Sequence, residues 1–244
     1  MAETSGRLER TDAPALAWRR LAGAGPTVVW MGGYRSDMAG TKAEALAGWA
    51  AEAGRAFLRF DWRGHGESDG RFEEATISDW RADALAVLDR LVDGPAVLVG
   101  SSMGGWVATL TALARPDRVA ALVLVGPAPD FTSALVEPRM TAADREALRR
   151  DGVWTDAEGQ PYTAALLEDG ARWTLLPGPV EVRAPVRILQ GGRDEAVPWR
   201  HALAFAEALS GDDVVFTLVK DGDHRLSRPQ DLARLIAAVA ELAS

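Results

Sequence analysis

Gly100-Ser101-Ser102-Met103-Gly104 follows directly on the apolar run Ala96-Val97-Leu98-Val99. An apolar run, a turn flanked by glycines and an apolar stretch of helical spacing constrain the chain to strand, sharp turn and helix. A residue at the apex of so tight a turn is held in a strained backbone conformation. Side chains at Gly100 and Gly104 would collide with the strand and helix that the turn joins. The expectation is that Ser102 projects from the end of a buried strand, as an exposed nucleophile must. The N–H of Met103, at the start of the helix, then faces the reacting carbonyl as one oxyanion donor.

A serine nucleophile of this kind needs an acid and then a histidine further along, each just past a strand. Pro185-Val186-Arg187-Ile188-Leu189-Gln190 reads as a buried strand, and Gly191-Gly192-Arg193-Asp194 places Asp194 on the loop after it. Val214 to Val219 reads as the next strand, and Asp221-Gly222-Asp223-His224-Arg225 follows. The chain has 3 histidines, so one at the required place is informative. The candidate triad is Ser102, Asp194 and His224. Asp130 follows an earlier strand and is the rival acid. Asp221 and Asp223 flank the histidine and read as turn formers. His65, in Arg63-Gly64-His65-Gly66, has no partner at a matching spacing and reads as a loop residue. His201 sits one turn into a helix after Pro198-Trp199 and reads as packing.

The 244 residues fit one α/β domain with a sizeable core. With 48% hydrophobic and 25% charged residues the composition is that of an ordinary folded protein, not a disordered one. A formal net charge of −8 leaves no electrostatic footprint for nucleic acid or for an anionic membrane surface. The absence of cysteine excludes disulfides, thiolate catalysis and cysteine-based metal sites. The start Met1-Ala2-Glu3-Thr4-Ser5-Gly6-Arg7 lacks the apolar core of a signal peptide, and no segment approaches the roughly 18 apolar residues of a membrane span. A cytoplasmic protein without integral membrane association is the expectation.

Apolar runs alternate with helical patterns along the chain, which predicts a mainly parallel sheet covered on both faces. Arg7 to Ala22 is expected to form one or two edge strands, Thr27 to Met31 the first core strand, and Arg55 to Phe60 and Val119 to Val125 further strands. Thr41-Lys42-Ala43-Glu44 has capping-box spacing for a helix that ends near Gly54. Trp80, Ala84, Val87, Leu88 and Leu91 fall on one helical face. Leu232, Leu235, Ile236, Val239 and Leu242 do so in a last helix, with Ser227 as its expected N-cap before Pro229.

Between Pro127 and Pro185 the alternation breaks down into a helix near Thr141 to Arg150 and a polar, Gly/Pro-punctuated stretch. This reads as a small lid over approximately residues 128–184, within one domain of residues 1–244. Trp154, Tyr162 and Trp173, with Leu135, Val136, Leu166 and Leu167, supply apolar surface there. They are the candidates for substrate contact, with packing of the lid onto the body as the competing role.

Three further stretches, Gly33 to Ala43, Arg59 to Gly70 and Asp223-His224-Arg225, join Gly100 to Trp106 in a resemblance that covers nearly the whole chain. The sequence resembles the α/β-hydrolases, serine esterases with a lid between the sixth and seventh core strands. Within them it is most similar to the mitochondrial palmitoyl-protein thioesterase and acyl-glucuronide esterase branch. Its preference for Ala, and for Arg over Lys, suggests a bacterial relative. The resemblance implies that the N–H of Tyr34, after the Gly32-Gly33 turn, is the second oxyanion donor. It implies a small-molecule ester or thioester, or an acylated protein, as substrate, hydrolysed by two-step acyl transfer with no metal or organic cofactor. An aspartate-nucleophile dehalogenase or epoxide hydrolase disagrees with Ser102. Carbon–carbon bond hydrolases and haloperoxidases keep the same triad and stay open, as does a non-catalytic binding module on the same fold.

Overall fold

The computed structural model describes residues 2–244. Its centre is an eight-stranded sheet in the order β1-β2-β4-β3-β5-β6-β9-β10. The strands are β1 (Thr4–Leu8), β2 (Leu16–Leu21), β3 (Ala24–Met31), β4 (Arg55–Phe60), β5 (Ala96–Ser101), β6 (Val119–Val125), β9 (Val186–Gly191) and β10 (Val214–Val219). β1 pairs with β2, and β2 with β4, antiparallel; every other pairing in the sheet is parallel. The two expected N-terminal strands form, but only β1 lies at the edge.

Parallel strands joined by helical crossovers are covered on both faces, which is why β5 reads as an unbroken apolar run. All six of its residues are buried. Successive side chains leave a strand on opposite faces. Val97 and Val99 accordingly pack in one core cluster with Leu46 of α1 (Thr41–Ala53) and with Leu235 and Val239 of α7 (Pro229–Leu242). Leu98 enters the other cluster, with Trp80 of α2 (Ile77–Leu91), Trp106 of α3 (Met103–Ala114) and Phe205 of α6 (Trp199–Ala208). Full burial of each Val or Leu contributes about 1.5–3 kcal/mol. Among the described residues no helix is long and apolar enough to cross a membrane.

Two helix starts differ from the sequence reading. Gly40 is the N-cap of α1, so Thr41 is already the first helical residue and its hydroxyl is one position too late for a capping box. Glu44 instead pairs with Arg59, whose guanidinium is 3% exposed and also holds Glu3. Arg228 is the N-cap of α7, and the Ser227 hydroxyl donates to the carbonyl of Arg225 instead of capping the helix. The αL residue Gly54 ends α1 as expected.

Between β6 and β9 the chain leaves the sheet. A π-helical turn (Thr132–Val136) and a 3₁₀ turn (Glu137–Arg139) lead to α4 (Ala142–Asp151), capped by Thr141 and Asp144. There follows a hairpin of β7 (Val153–Thr155) and β8 (Pro161–Thr163), in which Trp154 faces Tyr162. α5 (Ala164–Gly170) returns the chain to the body. There Asp169 accepts from both the N–H and the hydroxyl of Ser78 at 2.7 Å, and Trp173 Nε1 donates to the same hydroxyl.

Candidate active site

The register of the parallel strands brings their C-terminal ends level: Met31 lies beside Gly100, Ser101 beside Val125, and Gly191 beside Val219. The loops that leave these ends therefore meet along one edge of the sheet. Ser102 leaves β5 with φ 54 and ψ −119, a conformation that a non-glycine residue holds only when its surroundings enforce it. The flanking glycines let the turn close this tightly. A Cβ at Gly100 would lie 2.4 Å from the carbonyl oxygen of Gly104, and one at Gly104 would lie 2.2 Å from that of Met31. The Ser102 N–H donates to Val125 O at 2.9 Å and ties the turn to the neighbouring strand.

The Ser102 hydroxyl lies 3.2 Å from Nε2 of His224, on the loop after β10. His224 Nδ1 donates to Asp194 Oδ2 at 2.7 Å. A carboxylate only accepts, so Nδ1 carries the ring proton and Nε2 keeps a lone pair toward the serine. The Asp194 side chain is fully buried. It is nonetheless satisfied: Oδ1 accepts from the N–H groups of Ala196 and Val197 at 3.0 and 2.7 Å, and Oδ2 also accepts from Gln190 Nε2 at 3.0 Å. Such bonding satisfies the buried carboxylate and fixes its orientation toward the imidazole.

The rival acid is elsewhere. Asp130 accepts from the N–H groups of Leu175 and Leu176, each at 2.8 Å, and so binds the two ends of the insertion together. Burial raises its pKa. Asp223 Oδ1 accepts from the Leu226 N–H, the turn-forming role expected, whereas the Asp221 carboxylate forms an ion pair with Arg228. His201 meets the carbonyl of Pro129 at 2.7 Å. Asp61 shapes its loop by accepting from Met38 and Glu67 N–H groups, and Ser68 donates to the Asp61 carbonyl.

Ser102 and His224 open into a cavity of about 580 Å³. Met103, Ala128, Phe131, Leu135 and Val136 give it an apolar wall, and Arg139, Arg193 and Arg225 stand among its polar lining. Tyr34 and Met103 both reach it, and their N–H groups take no part in the hydrogen bonds that tie the surrounding turns. The turn bearing Tyr34 lies against the serine, since a Cβ at Gly33 would sit 3.3 Å from Ser102 Cβ.

Of the aromatic residues singled out for substrate contact, Tyr162 lines this cavity, stacked on the Tyr34 ring at 5.5 Å and 6°. Trp154 lines an adjoining hollow of about 360 Å³ that shares Val136, Arg139 and Tyr162 with the main cavity. Trp173 is not brought to the cavity. Its indole lies under the Arg81 guanidinium and its carbonyl accepts from Trp106 Nε1, so it is a packing anchor of the insertion. Leu166 and Leu167 are likewise buried in the core. The Tyr34 ring and the three arginines were missed as lining residues. The signal available was adjacency, since Arg193 and Arg225 directly neighbour Asp194 and His224 in sequence.

Residues 26–149 match the family described as serine aminopeptidase, S33. The mouse mitochondrial palmitoyl-protein thioesterase ABHD10 is 37% identical over 96% of this chain and 81% of its own length. The chain belongs to the α/β-hydrolase family, on the ABHD10 branch. This α/β-hydrolase is also similar to two solved structures. A putative hydrolase from Agrobacterium vitis is 42% identical with a TM-score of 0.95 over the full length of both chains. The mouse α/β-hydrolase domain-containing protein 10 is 36% identical with a TM-score of 0.92, covering 98% of each chain. Membership makes the chain a serine hydrolase whose relatives include thioesterases and esterases.

Proposed function

We propose that this α/β-hydrolase cleaves acyl esters and acyl-thioesters by a two-step transfer through Ser102. His224 Nε2 takes the proton of the Ser102 hydroxyl as the oxygen attacks the carbonyl carbon. The Asp194 carboxylate holds the imidazole in the required tautomer and balances the imidazolium that forms. The oxyanion is held by the N–H groups of Tyr34 and Met103. Collapse of the tetrahedral intermediate expels the alcohol or thiol, which takes the proton from His224 and leaves an acyl-Ser102 ester. A water molecule, deprotonated by His224, then attacks that ester and releases the acid. The observation that carries this reading is the unbroken chain of hydrogen bonds Ser102–His224–Asp194 on the floor of a cavity.

The insertion over residues 128–184 acts as the lid, and the wall of Phe131, Leu135 and Val136 receives the acyl chain. Each methylene buried against it contributes about 0.8 kcal/mol. Specificity then rises from acetyl toward medium and long chains, and thioesters are cleaved as well as oxygen esters. An acylated protein as physiological substrate is supported by the name of the ABHD10 relatives, palmitoyl-protein thioesterase.

The test is turnover of p-nitrophenyl esters and acyl-thioesters of graded length by wild type, Ser102→Ala and His224→Ala. Each substitution is expected to lower kcat by about 10³-fold or more. Near wild-type turnover in either would sink the mechanism. Strict preference for acetyl esters, or the absence of thioesterase activity, would sink the substrate assignment.

A further inference from the structure

His65 is buried, 5% exposed, and has no part in the Ser102–His224–Asp194 chain. Its ring stands edge-on against Phe72 at 5.0 Å and Trp80 at 5.6 Å. His65 Nδ1 lies 3.2 Å from the carbonyl oxygen of Arg63, and its Nε2 lies 3.1 Å from the backbone N of Arg35. The first partner only accepts and the second only donates. Both contacts therefore demand one species, the neutral imidazole with its proton on Nδ1. Burial pushes the ring pKa down, against the Arg63 carbonyl and the Asp83 carboxylate, and this favours that neutral form at pH 7.

The residue that His65 holds is itself strained. Arg35 has φ 54, a left-handed conformation that is strained for a side-chain-bearing residue. It directly follows Tyr34. The anchor behind His65 is rigid. The Arg63 N–H and guanidinium both bond to Asp83, whose side chain is fully buried and also takes Arg10 at 2.6 Å.

We propose that His65 is a positioning residue for the oxyanion hole, its Nε2 holding the Arg35 N–H so that the strained turn presents the Tyr34 N–H to the carbonyl oxygen above Ser102. The inference rests on the reading of Tyr34 as an oxyanion donor. A leucine at position 65 fills the same space without an acceptor, whereas a glutamine offers Oε1 to the Arg35 N–H.

The experiment compares kcat and KM on one p-nitrophenyl ester for wild type, Ser102→Ala, His65→Leu and His65→Gln. Loss of a whole oxyanion donor costs about 10²–10³ in kcat, so the misplaced donor of His65→Leu is expected to lower kcat by about 10–100-fold, with KM changed by no more than about twofold. His65→Gln is expected to recover most of that loss. Full activity in Ser102→Ala overturns the underlying mechanism. With Ser102→Ala inactive, wild-type kcat in His65→Leu, an effect confined to KM, or no advantage of His65→Gln over His65→Leu overturns the role of His65 alone. If His65→Leu fails to fold, nitrogen-15-labelled wild-type protein decides. A scalar coupling between the Arg35 amide nitrogen and His65 Nε2 is expected across the hydrogen bond, and its absence overturns the proposal.

Discussion

Gly126 faces the His224 ring so closely that a Cβ on it would lie 3.3 Å from His224 Nδ1, and only 3.4 Å from Asp194 Oδ2. The residue directly follows β6 with φ 51, and its N–H donates to Leu189 O at 2.8 Å, which holds the backbone there in place. Gly126→Ala is expected to push the ring off the carboxylate by a few tenths of an ångström. Displacements of this kind lower kcat by about 10–100-fold. Gly94→Ala is the control: φ is 70 and nothing lies within 4 Å of the added carbon. Both variants should lose about 1 kcal/mol of stability from backbone strain. Only Gly126→Ala should lose activity, and equal kcat in the two would remove Gly126 from the geometry of the site.

Two buried aspartates give opposite expectations. Asp194→Asn puts an amide where His224 Nδ1 needs an acceptor, and a change of this type costs about 10³–10⁴ in kcat while the fold persists. Asp130→Asn weakens the acceptor for Leu175 and Leu176, so it should lower thermal stability, by about 1–3 kcal/mol, with kcat changed by less than about threefold. Steady-state kinetics beside thermal unfolding separates the two. The reverse ranking in kcat would move the acid to the loop after β6.

Lys42 provides a pH-dependent test. Its Nζ donates at 2.6 Å to the carbonyl of Arg225, the residue after His224. Burial, aided by the Arg225 charge and opposed by Asp223, lowers its pKa from 10.5 to about 8. Between those values the unfolded chain holds a proton that the folded protein has released, so folding stability rises with pH across the interval. Below about 8 the cost of the charged ammonium is fully present. The melting temperature of wild type should therefore gain on that of Lys42→Met as pH goes from 8 to 10.5. A gap that stays constant would show that the lysine titrates as in water.

The sheet was legible because parallel strands buried on both faces leave long apolar runs, and β4 and β6 fall on the stretches read as strands. Ser102, Asp194 and His224 were legible because each follows such a run at the same edge. The hairpin at Val153–Thr163 was not, since three-residue strands around a polar turn carry too few alternations for a period to emerge. Trp173 stayed between two roles for a related reason: an aromatic residue in an insertion looks alike whether it lines a cavity or pins the insertion to α2 and α3. Only the partners of its indole and carbonyl, Ser78 and Trp106, distinguish the two. The role of His65 was hidden because its decisive contact is with a main-chain N–H, which leaves no residue type to recognise.

The insertion is fastened unevenly. Its C-terminal part is tied to the body through Asp169 and Trp173, which both meet Ser78, while the Leu175 and Leu176 amides close it onto its own start at Asp130. α4 by contrast has no buried residue, and the hairpin reaches the loop after β3 through the Tyr34 hydroxyl on the Pro161 carbonyl and Arg35 on the Gly159 carbonyl, at 3.1 Å for the latter. Residues 141–163 thus form a cassette held against the turn after β3, separate from the anchor at Ser78. Because the cassette grips the side chains of the turn whose main chain faces the serine, a foreign cassette would change the rate of chemistry together with the choice of acyl group.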